Sequence, residues 1–375
     1  MKDTILFGDC RETLKQFDEP ARMCVTSTPY FGLRDYGTAT WIGGDPNCNH
    51  RRDTKVNPKN CITGHKNHDE MAGVGDAIYK TVCPKCGAIR QDSQIGLEET
   101  PEEYIENLVN VFRGVWDVLT DDGTLWVNLG DSYYNYRPGK GQSYPKQSVS
   151  KTKQDLPDNC NKRGNKLDGL KEKDLIGIPW MFAFAMRKDG WYLRQDIIWH
   201  KPNPMPESVR DRCTKSHEYI FLFSKNRKYH YDNEAIKEPA KDWGTRDRTN
   251  GKYHNEGTGL QPHTGLTKSY PTKNKRSVWS VTNKPYREAH FATYPPDLIE
   301  PCILAGSEEG DTVLDPFMGA GTTAAVAKSL NRHYIGCELN EDYGNLIQKR
   351  IQDYKPVQPV KEVAQEPCIN IFDII

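Results

Sequence analysis

Residues 312–330 of this chain are TVLDPFMGAGTTAAVAKSL, and this stretch decides the fold. It opens with an apolar strand pattern that ends at Asp315, and Gly319 and Gly321 then precede a helix that begins near Thr322. Glycines at such a turn let the backbone bend tightly and approach a ligand that a Cβ atom would repel. The stretch therefore predicts a strand, a glycine turn and a helix, with a ligand site at the turn.

A second carboxylate belongs to this predicted site. The next strand, HYIGCEL, ends near Glu338, where a side chain can accept both hydroxyls of a ribose, and ligands of open α/β sheets bind at the carboxyl ends of strands. Two details favour S-adenosylmethionine over a dinucleotide. The third glycine of a pyrophosphate-binding loop is absent, and Asp315 suits a cofactor that carries an ammonium group. A dinucleotide site, or a turn without any ligand, is the alternative.

Strand patterns and helical patterns alternate along the rest of the chain. Thr100 is a predicted N-cap with Glu103 three residues later, and apolar residues follow it at helical spacing. Further helices are predicted within 176–190 and 294–306. The strand patterns are ILFGDC (5–10), ARMCVTSTPY (21–30), GTLWVNLGD (123–131), WYLRQDIIWHKP (191–202) and HEYIFLFSK (217–225). This alternation predicts a mostly parallel, doubly wound α/β sheet.

Composition limits the class of protein. The 375 residues are enough for one large α/β domain with insertions or for two ordinary domains, and the aromatic content supplies a core that disordered chains lack. Because 51 basic and 51 acidic residues cancel, a nucleic-acid partner has to be inferred from local segments. The chain has no apolar run of about 20 residues and no signal-peptide layout at its start. We therefore expect a cytoplasmic protein, of a bacterial cell or a phage-infected host.

The sequence Ser27-Thr28-Pro29-Tyr30 directly follows the strand pattern MCVT. A Ser/Asp/Asn-Pro-Pro-aromatic loop after a strand, together with D-P-F-x-G-x-G-T, resembles the motif pair of DNA amino methyltransferases. The catalytic loop comes first and the cofactor loop last, an order similar to the permuted β class that methylates cytosine N4 or adenine N6. The resemblance spans about residues 4–350 and includes FGLRDYG, NLGDSYY, GWYLRQDIIWHKPNPMPESV and AHFATYPPDLIEPCILAGS. It implies a Rossmann-like methyltransferase sheet with circularly permuted motifs.

The resemblance also implies roles for the catalytic loop. The Ser27 hydroxyl and the Thr28 carbonyl would accept the hydrogens of a target amino group, which favours the pyramidal nitrogen that attacks a sulfonium methyl in line. Tyr30 would stack on the target base, flipped out of double-stranded DNA because its amino group is occupied inside the duplex. Thr28 departs from the family, which usually has Pro there, so the carbonyl is kept but the restraint on φ is lost.

Two cofactor contacts are implied only by the resemblance. Asp9 occupies the position whose carboxylate contacts the adenine amino group of S-adenosylmethionine, although a helix N-cap aspartate has the same sequence pattern. Phe317 would pack on the cofactor, although a core phenylalanine has the same pattern as well. The full predicted cofactor set is Asp9, Asp315, Phe317, Gly319, Gly321, Thr322 and Glu338.

The stretch from Thr38 to Lys85 has no apolar periodicity, and such a stretch in a compact domain is usually functional or needs support other than a core. One Cys-x-His pair and one Cys-x-x-Cys pair bracket it, and together they supply the donors of a tetrahedral structural zinc site. The predicted ligands are Cys48, His50, Cys83 and Cys86. The competing ligands are Cys61, His65 and His68. The alternative is a polar loop with reduced thiols, since 11 cysteines without a secretory signal do not indicate disulfides.

The motifs divide the chain into predicted parts. Residues 229–276 are rich in Lys and Arg with interleaved aromatic residues, and they are predicted to recognise the target DNA; a solvated surface loop is the alternative. Lys151–Lys173 is a second basic loop, and the tail ends in the apolar CINIFDII. The predicted parts are catalytic domain 1–46, zinc-binding insertion 47–87, catalytic domain 88–228, target-recognition segment 229–276, cofactor-binding part 277–354 and tail 355–375.

The predicted function is site-specific DNA methylation at an exocyclic amino group. Ser27 at the first catalytic position resembles enzymes for cytosine N4 more than those for adenine N6, and adenine is kept as the alternative. A restriction endonuclease is a possible counterpart. The other classes left open are an RNA or protein-amide methyltransferase and a zinc-stabilised DNA-binding protein with a vestigial cofactor fold.

Overall fold

The computed structural model of the chain describes residues 1–32, 38–50, 79, 81–134, 167, 169–240, 271–283 and 293–355. In this part of the chain the strands are β1 (Thr4–Phe7), β2 (Ala21–Ser27), β3 (Thr40–Ile42), β4 (Ile89–Gln91), β5 (Leu119–Leu129), β6 (Tyr192–His200), β7 (His217–Ser224), β8 (Glu238–Pro239), β9 (Thr272–Lys273), β10 (Val278–Ser280), β11 (Thr312–Asp315) and β12 (His333–Glu338). The helices are α1 (Cys10–Thr13), α2 (Pro101–Val118), α3 (Ile178–Lys188), α4 (Pro296–Gly306), α5 (Thr322–Ser329) and α6 (Gly344–Asp353). Among these described helices, none is both long enough and apolar enough to cross a membrane.

The main sheet has eight strands in the order β1-β12-β11-β2-β5-β7-β6-β10. All neighbours are parallel except β7, which is antiparallel to both β5 and β6. The prediction of a mostly parallel, doubly wound sheet is therefore confirmed. From β11 the chain continues to β12 on one side, and from β2 it continues to β5 on the other. The boundary between β11 and β2 is thus a topological switch point, where open sheets bind ligands.

The helix α2 forms where its cap and its spacing predict it. The Thr100 side chain accepts a hydrogen bond from the Glu103 N–H at 3.2 Å, and Pro101 occupies the first turn, where a missing N–H costs nothing. Strand β5 begins at Leu119, immediately after the helix and before the predicted start. It begins early because Leu119 pairs with Ala21 on β2, and a register shift follows before the regular ladder.

Apolar side chains cover both faces of the main sheet. On one face α2 and α3 pack through fully buried residues such as Phe112 and Phe182, and on the other α4, α5 and α6 pack through residues such as Leu298 and Val326. Each large apolar side chain buried in this way contributes about 1.5–3 kcal/mol. The carboxyl ends of the parallel strands are therefore held in place by apolar packing on both faces of the sheet.

Candidate functional site

Asp315, the last residue of β11, is fully buried beneath the glycine turn. Its carboxylate accepts hydrogen bonds from the Thr26 hydroxyl at 2.6 Å, the Phe317 N–H at 2.9 Å and the Tyr294 hydroxyl at 3.1 Å, and also from the Thr323 hydroxyl. Burial raises the pKa of Asp315, while these four donors favour its charged form. The carboxylate thus connects β2, β11, α5 and the residues before α4. Its three hydroxyl partners, Thr26, Tyr294 and Thr323, were singled out by no sequence pattern, so the sequence did not predict them.

Glu338 closes the other side of the glycine turn. Its carboxylate accepts from the Gly319 N–H at 2.7 Å and from the Asn340 N–H at 2.9 Å, and burial raises the pKa of Glu338 to about 7. Gly321 caps α5 at a φ of 81°, and a Cβ atom there would lie 2.9 Å from Cγ2 of Ile347. Glycine is therefore required at Gly321 both by its backbone conformation and by the close approach of α6.

Asp9 lies at the carboxyl end of β1, next to the end of β12. It is the N-cap of α1: its side chain accepts from the Arg11 N–H at 2.9 Å, and it forms an ion pair with the Arg11 guanidinium at 2.6 Å. Asp9 therefore has the helix N-cap geometry that its sequence pattern allowed as the alternative to a cofactor contact. Of the remaining predicted cofactor residues, Thr322 is buried in the first turn of α5 and Phe317 is partly buried against the apolar core.

The Ser-Thr-Pro-Tyr loop begins where β2 ends. Ser27 lies opposite Asn128 of β5, and its hydroxyl donates to Asn128 Oδ1 at 3.1 Å. Thr28 is buried, with its N–H 3.4 Å from the Asn128 carbonyl oxygen and its hydroxyl 3.5 Å from that of Tyr104. Tyr104 in turn donates to the Pro29 carbonyl at 2.6 Å. These contacts hold the loop against β5 and α2.

The Tyr30 ring lies directly on the backbone of Gly130, where a Cβ atom would approach it to 2.6 Å. Its hydroxyl donates to Glu218 Oε2 at 2.7 Å, and Glu218 Oε1 accepts from the Lys201 ammonium. Burial, reinforced by the charge of Glu218, raises the pKa of Tyr30 well above its usual range. Tyr30 therefore stays neutral, with its hydroxyl anchored. Sequence patterns did not single out Asn128, Glu218 or Lys201 as site residues.

The two predicted motifs meet in the structure. Thr26, one residue before Ser27, donates to Asp315 at 2.6 Å although 289 residues separate them along the chain. Because β2 and β11 are parallel neighbours, the catalytic loop and the glycine turn emerge side by side at the same edge of the sheet. A nucleophile held by one loop and a cofactor held by the other would thus be adjacent.

The four predicted metal ligands also come together. All four ligand atoms lie within 4.8 Å of one another; they belong to Cys48, His50, Cys83 and Cys86. Cys48 Sγ is 3.8 Å from Cys83 Sγ, and Cys86 Sγ is 3.5 Å from His50 Nδ1. Zn–S bonds of about 2.3 Å at tetrahedral angles place two sulfurs about 3.8 Å apart. The donor set and its geometry thus fit zinc.

Short strands and a turn position this Cys/His cluster. β3 and β4 form a two-stranded antiparallel sheet, and His50 stacks on Trp41 of β3 with ring centroids 4.3 Å apart. The Cys-x-x-Cys turn is closed by two backbone hydrogen bonds of Cys83, with Gly87 at 2.7 Å and Ala88 at 2.8 Å. Some predicted features lie outside the described residues: the competing ligands Cys61, His65 and His68, residues 241–270 of the basic segment, residues 151–166 and 168 of the second basic loop, and the tail after residue 355.

This sheet, with a glycine turn and a Ser-Thr-Pro-Tyr loop at neighbouring strand ends, defines a Rossmann-like methyltransferase. The solved structure of the PvuII DNA methyltransferase (cytosine-N4-specific) has this fold, with a TM-score of 0.52 and 14% identity over 95% of this chain and 89% of that one.

The family follows from the sequence comparisons. A family model of N6/N4 methyltransferases, described as DNA methylase, matches residues 21–349. The Type II methyltransferase M.SmaI of Serratia marcescens is 40% identical over 92% of this chain and 90% of its own length. The Type II methyltransferase M.XycI of Xanthomonas campestris pv. cyanopsidis is 39% identical over 93% of this chain and 87% of its own length. The chain belongs to this family of DNA amino methyltransferases, as its motif pair predicted.

Proposed function

We propose that this enzyme transfers a methyl group from S-adenosylmethionine to the exocyclic amino group of a base flipped out of double-stranded DNA, with cytosine N4 as the favoured acceptor. The observation that supports this most directly is the Thr26–Asp315 hydrogen bond, which holds the catalytic loop and the glycine turn side by side. Bound S-adenosylmethionine would supply an electrophilic methyl group there. Transfer then depends on holding the acceptor nitrogen in line with that group.

The catalytic loop supplies the groups that would orient the acceptor. The Ser27 hydroxyl and the Thr28 carbonyl accept the two amino hydrogens, which withdraws the nitrogen lone pair from conjugation with the ring. The Tyr30 ring provides a flat surface for the flipped base, and its anchored hydroxyl keeps that surface in place. Base flipping is required because the amino group is hydrogen-bonded inside the duplex.

The cofactor would lie across the ends of β11, β12 and β1. Glu338 would accept both ribose hydroxyls, and Asp9 would accept from the adenine amino group. Gly319, Gly321 and Thr322 would form the turn that approaches the cofactor, with Phe317 packed against it. Asp315 would act on the cofactor through its negative charge beneath the turn and not through a direct hydrogen bond, since both of its oxygens already accept hydrogen bonds within the protein.

The choice of cytosine rests on Ser27, because serine at the first catalytic position resembles the enzymes for cytosine N4. The test is transfer of labelled methyl groups from S-adenosylmethionine to unmethylated duplex DNA, with the product nucleosides resolved by mass spectrometry. We expect labelled 4-methylcytosine. Labelled 6-methyladenine would overturn the choice of base, and the absence of transfer by protein that binds the cofactor would overturn the proposed function.

We also propose that the Cys/His cluster holds a structural zinc ion. Cys48, His50, Cys83 and Cys86 supply four donors. Four protein ligands complete a tetrahedral structural site, whereas a hydrolytic site keeps one position for water. The ion would hold residues 47–87 in place of an apolar core.

Two further parts of the proposal concern DNA. We assign recognition of the target sequence to residues 229–276, whose basic and aromatic side chains suit phosphates and base edges. We assign the enzyme a restriction endonuclease as its counterpart, since several relatives are named Type II methyltransferases. Plasmid DNA modified by this enzyme should then resist one endonuclease that cuts the unmodified plasmid.

A further inference from the structure

Asn128, at the end of β5, is the centre of a buried hydrogen-bond network beside the catalytic serine. Its side-chain amide donates to Glu218 Oε2 at 3.3 Å and to the Tyr219 carbonyl at 3.1 Å, and both of these groups can only accept. Rotating the amide by half a turn would place its oxygen against two acceptors. The orientation is therefore determined, and Asn128 Oδ1 must face the Ser27 and Tyr30 hydroxyls.

The Glu218 carboxylate is itself held from both sides. Lys201 donates to its Oε1, and the Tyr30 hydroxyl donates to its Oε2 at 2.7 Å. The Lys201 and Glu218 side chains are only 16% and 14% exposed, so water competes weakly for either partner. Glu218 consequently presents Oε2 at a fixed position towards both Asn128 and Tyr30.

The direction of the Ser27 hydroxyl follows from this network. A serine hydroxyl can donate or accept, and a freely rotating one would do both. Since Asn128 Oδ1 takes the Ser27 proton at 3.1 Å, the lone pairs of Ser27 are left for other partners. An amino group offers hydrogens, so only an accepting hydroxyl can orient it.

We propose that Glu218 is a positioning residue, which acts through Asn128 to hold the Ser27 hydroxyl as an acceptor for the target amino group. This inference rests on the proposed function of Ser27 and adds the groups that make that function possible. The network spans β7, β5 and β2, so the register of three adjacent strands determines the direction of one proton.

The test is a double-mutant cycle measured with S-adenosylmethionine and unmethylated duplex DNA. Asn128→Ala removes the acceptor for the Ser27 proton, and we expect kcat to fall by about 10- to 100-fold, as for other displaced catalytic groups. KM for DNA and the cofactor dissociation constant should stay within about twofold, because neither ligand loses a contact. In a Ser27→Ala background the same substitution should cost no further activity, since the hydroxyl that it positions is absent.

Two substitutions of Glu218 sharpen the test. Glu218→Ala should lower kcat by about 10-fold, the usual scale for one lost charged hydrogen bond. Glu218→Gln should have a kcat between those of Glu218→Ala and the wild type. Its one amide oxygen can accept from both Tyr30 and Asn128, but its NH2 group then faces the Lys201 ammonium. The control is Asp122→Asn, which breaks the 2.6 Å ion pair with Arg22 elsewhere on the sheet and should leave kcat unchanged.

The outcomes separate this inference from the function on which it rests. Wild-type kcat in Asn128→Ala, or equal losses in the presence and absence of the Ser27 hydroxyl, would overturn the positioning role. Undiminished methyl transfer by Ser27→Ala alone would overturn the catalytic assignment of Ser27 instead. If Asn128→Ala and Glu218→Ala do not fold, the near-isosteric Glu218→Gln is measured in the Ser27→Ala background. There, a further loss of kcat with an unchanged melting temperature would contradict the inference.

Discussion

The glycine turn and the Cys/His cluster are held in place in different ways. The turn stands on strands whose apolar side chains are fully buried, as at Val313 and Leu314 of β11. Beside the cluster, by contrast, Ile42 of β3 and Ile89 of β4 are 57% and 59% exposed. Burial of apolar surface therefore stabilises the first region, whereas β3 and β4 leave part of their apolar surface in contact with solvent. The comparison predicts that the two regions differ in their source of stability, with the proposed zinc ion supplying it at the Cys/His cluster.

The two regions are nevertheless in contact. Gly96, which follows β4, accepts a hydrogen bond from the Gly32 N–H at 2.8 Å, and a Cβ atom on Gly96 would lie 2.9 Å from the Tyr30 carbonyl oxygen. Nearby, the Arg11 guanidinium donates to the Ser93 carbonyl at 3.2 Å. The chain leaving the cluster thus packs against the catalytic loop, so a change in the cluster should reach catalysis without unfolding the sheet.

The largest expected effect comes from the catalytic loop itself. Ser27→Ala should lower kcat for methyl transfer by about 100-fold or more, because one acceptor for the target amino group is lost. Cofactor affinity measured by calorimetry should stay within about twofold, since Ser27 lies outside the predicted cofactor set. Ser329→Ala, which removes a hydroxyl bonded within α5, is the matched control and should retain wild-type kcat. Equal kcat in the two variants would contradict the assignment.

The second largest effect is expected from a substitution of Asp315, which lies beneath the glycine turn. Asp315→Asn removes a fully buried charge that accepts four hydrogen bonds. The hydroxyls of Tyr294 and Thr323, which donate to Oδ2, must then turn and accept from the new NH2 group or lose their bonds. We expect the free energy of unfolding to fall by about 2 kcal/mol, measured by urea denaturation. An unchanged unfolding midpoint would show that these bonds do not stabilise the core.

The corresponding substitution in the Cys/His cluster, Cys83→Ser, should have little effect on the stability of the main sheet. Cys83→Ser should lower bound zinc well below about one ion per chain, measured by elemental analysis, because one of the four ligands of a tetrahedral site is lost. The main unfolding transition should shift less than in Asp315→Asn, while proteolysis near β4 should become faster. Cys213→Ser, an exposed cysteine outside the cluster, should keep its full metal content. Full zinc content in Cys83→Ser would refute the ligand assignment.

Cofactor binding should depend on pH through Glu338. Burial raises its pKa from the ordinary value to about 7, so the carboxylate gains its charge as the pH rises through neutrality. An ionised carboxylate accepts both ribose hydroxyls, so affinity should rise about 10-fold between about pH 6 and pH 8. Calorimetry on Glu338→Gln controls for titration of the cofactor itself. The same pH dependence in that variant would exclude Glu338 as its source.

The smallest effect should come from restoring the usual family residue. Thr28→Pro removes an N–H that lies 3.4 Å from the Asn128 carbonyl, a long and weak contact, and keeps the Thr28 carbonyl that the reaction needs. We expect kcat to change by no more than about threefold, because the loop stays anchored through Pro29 and Tyr104. A change as large as that of Ser27→Ala would show that the threonine hydroxyl takes part in the reaction.

Local patterns were sufficient to predict most elements of the fold. Helical spacing and the Thr100 cap predicted α2, and apolar runs predicted every strand of the main sheet except β10, which no apolar run marks. The zinc-ligand spacing predicted a cluster whose four members lie together in the structure. Periodicity and turn chemistry report on neighbours along the chain, so these features were accessible. The start of β5 was not, since it depends on pairing with Ala21 of a distant strand.

The sequence by itself determined the class of this protein, because each motif is a contiguous stretch and the order of the two motifs can be read directly along the chain. Only the tertiary structure decided which side chains complete the site. Asn128 lies 101 residues after Ser27 along the chain, and Glu218 lies a further 90 residues after Asn128; strand register brings the three together. Asp315 loses its exposure to solvent only when Thr26, Tyr294 and Thr323 close around it. Burial and direction of a hydrogen bond are properties of packed strands, and no local pattern encodes them.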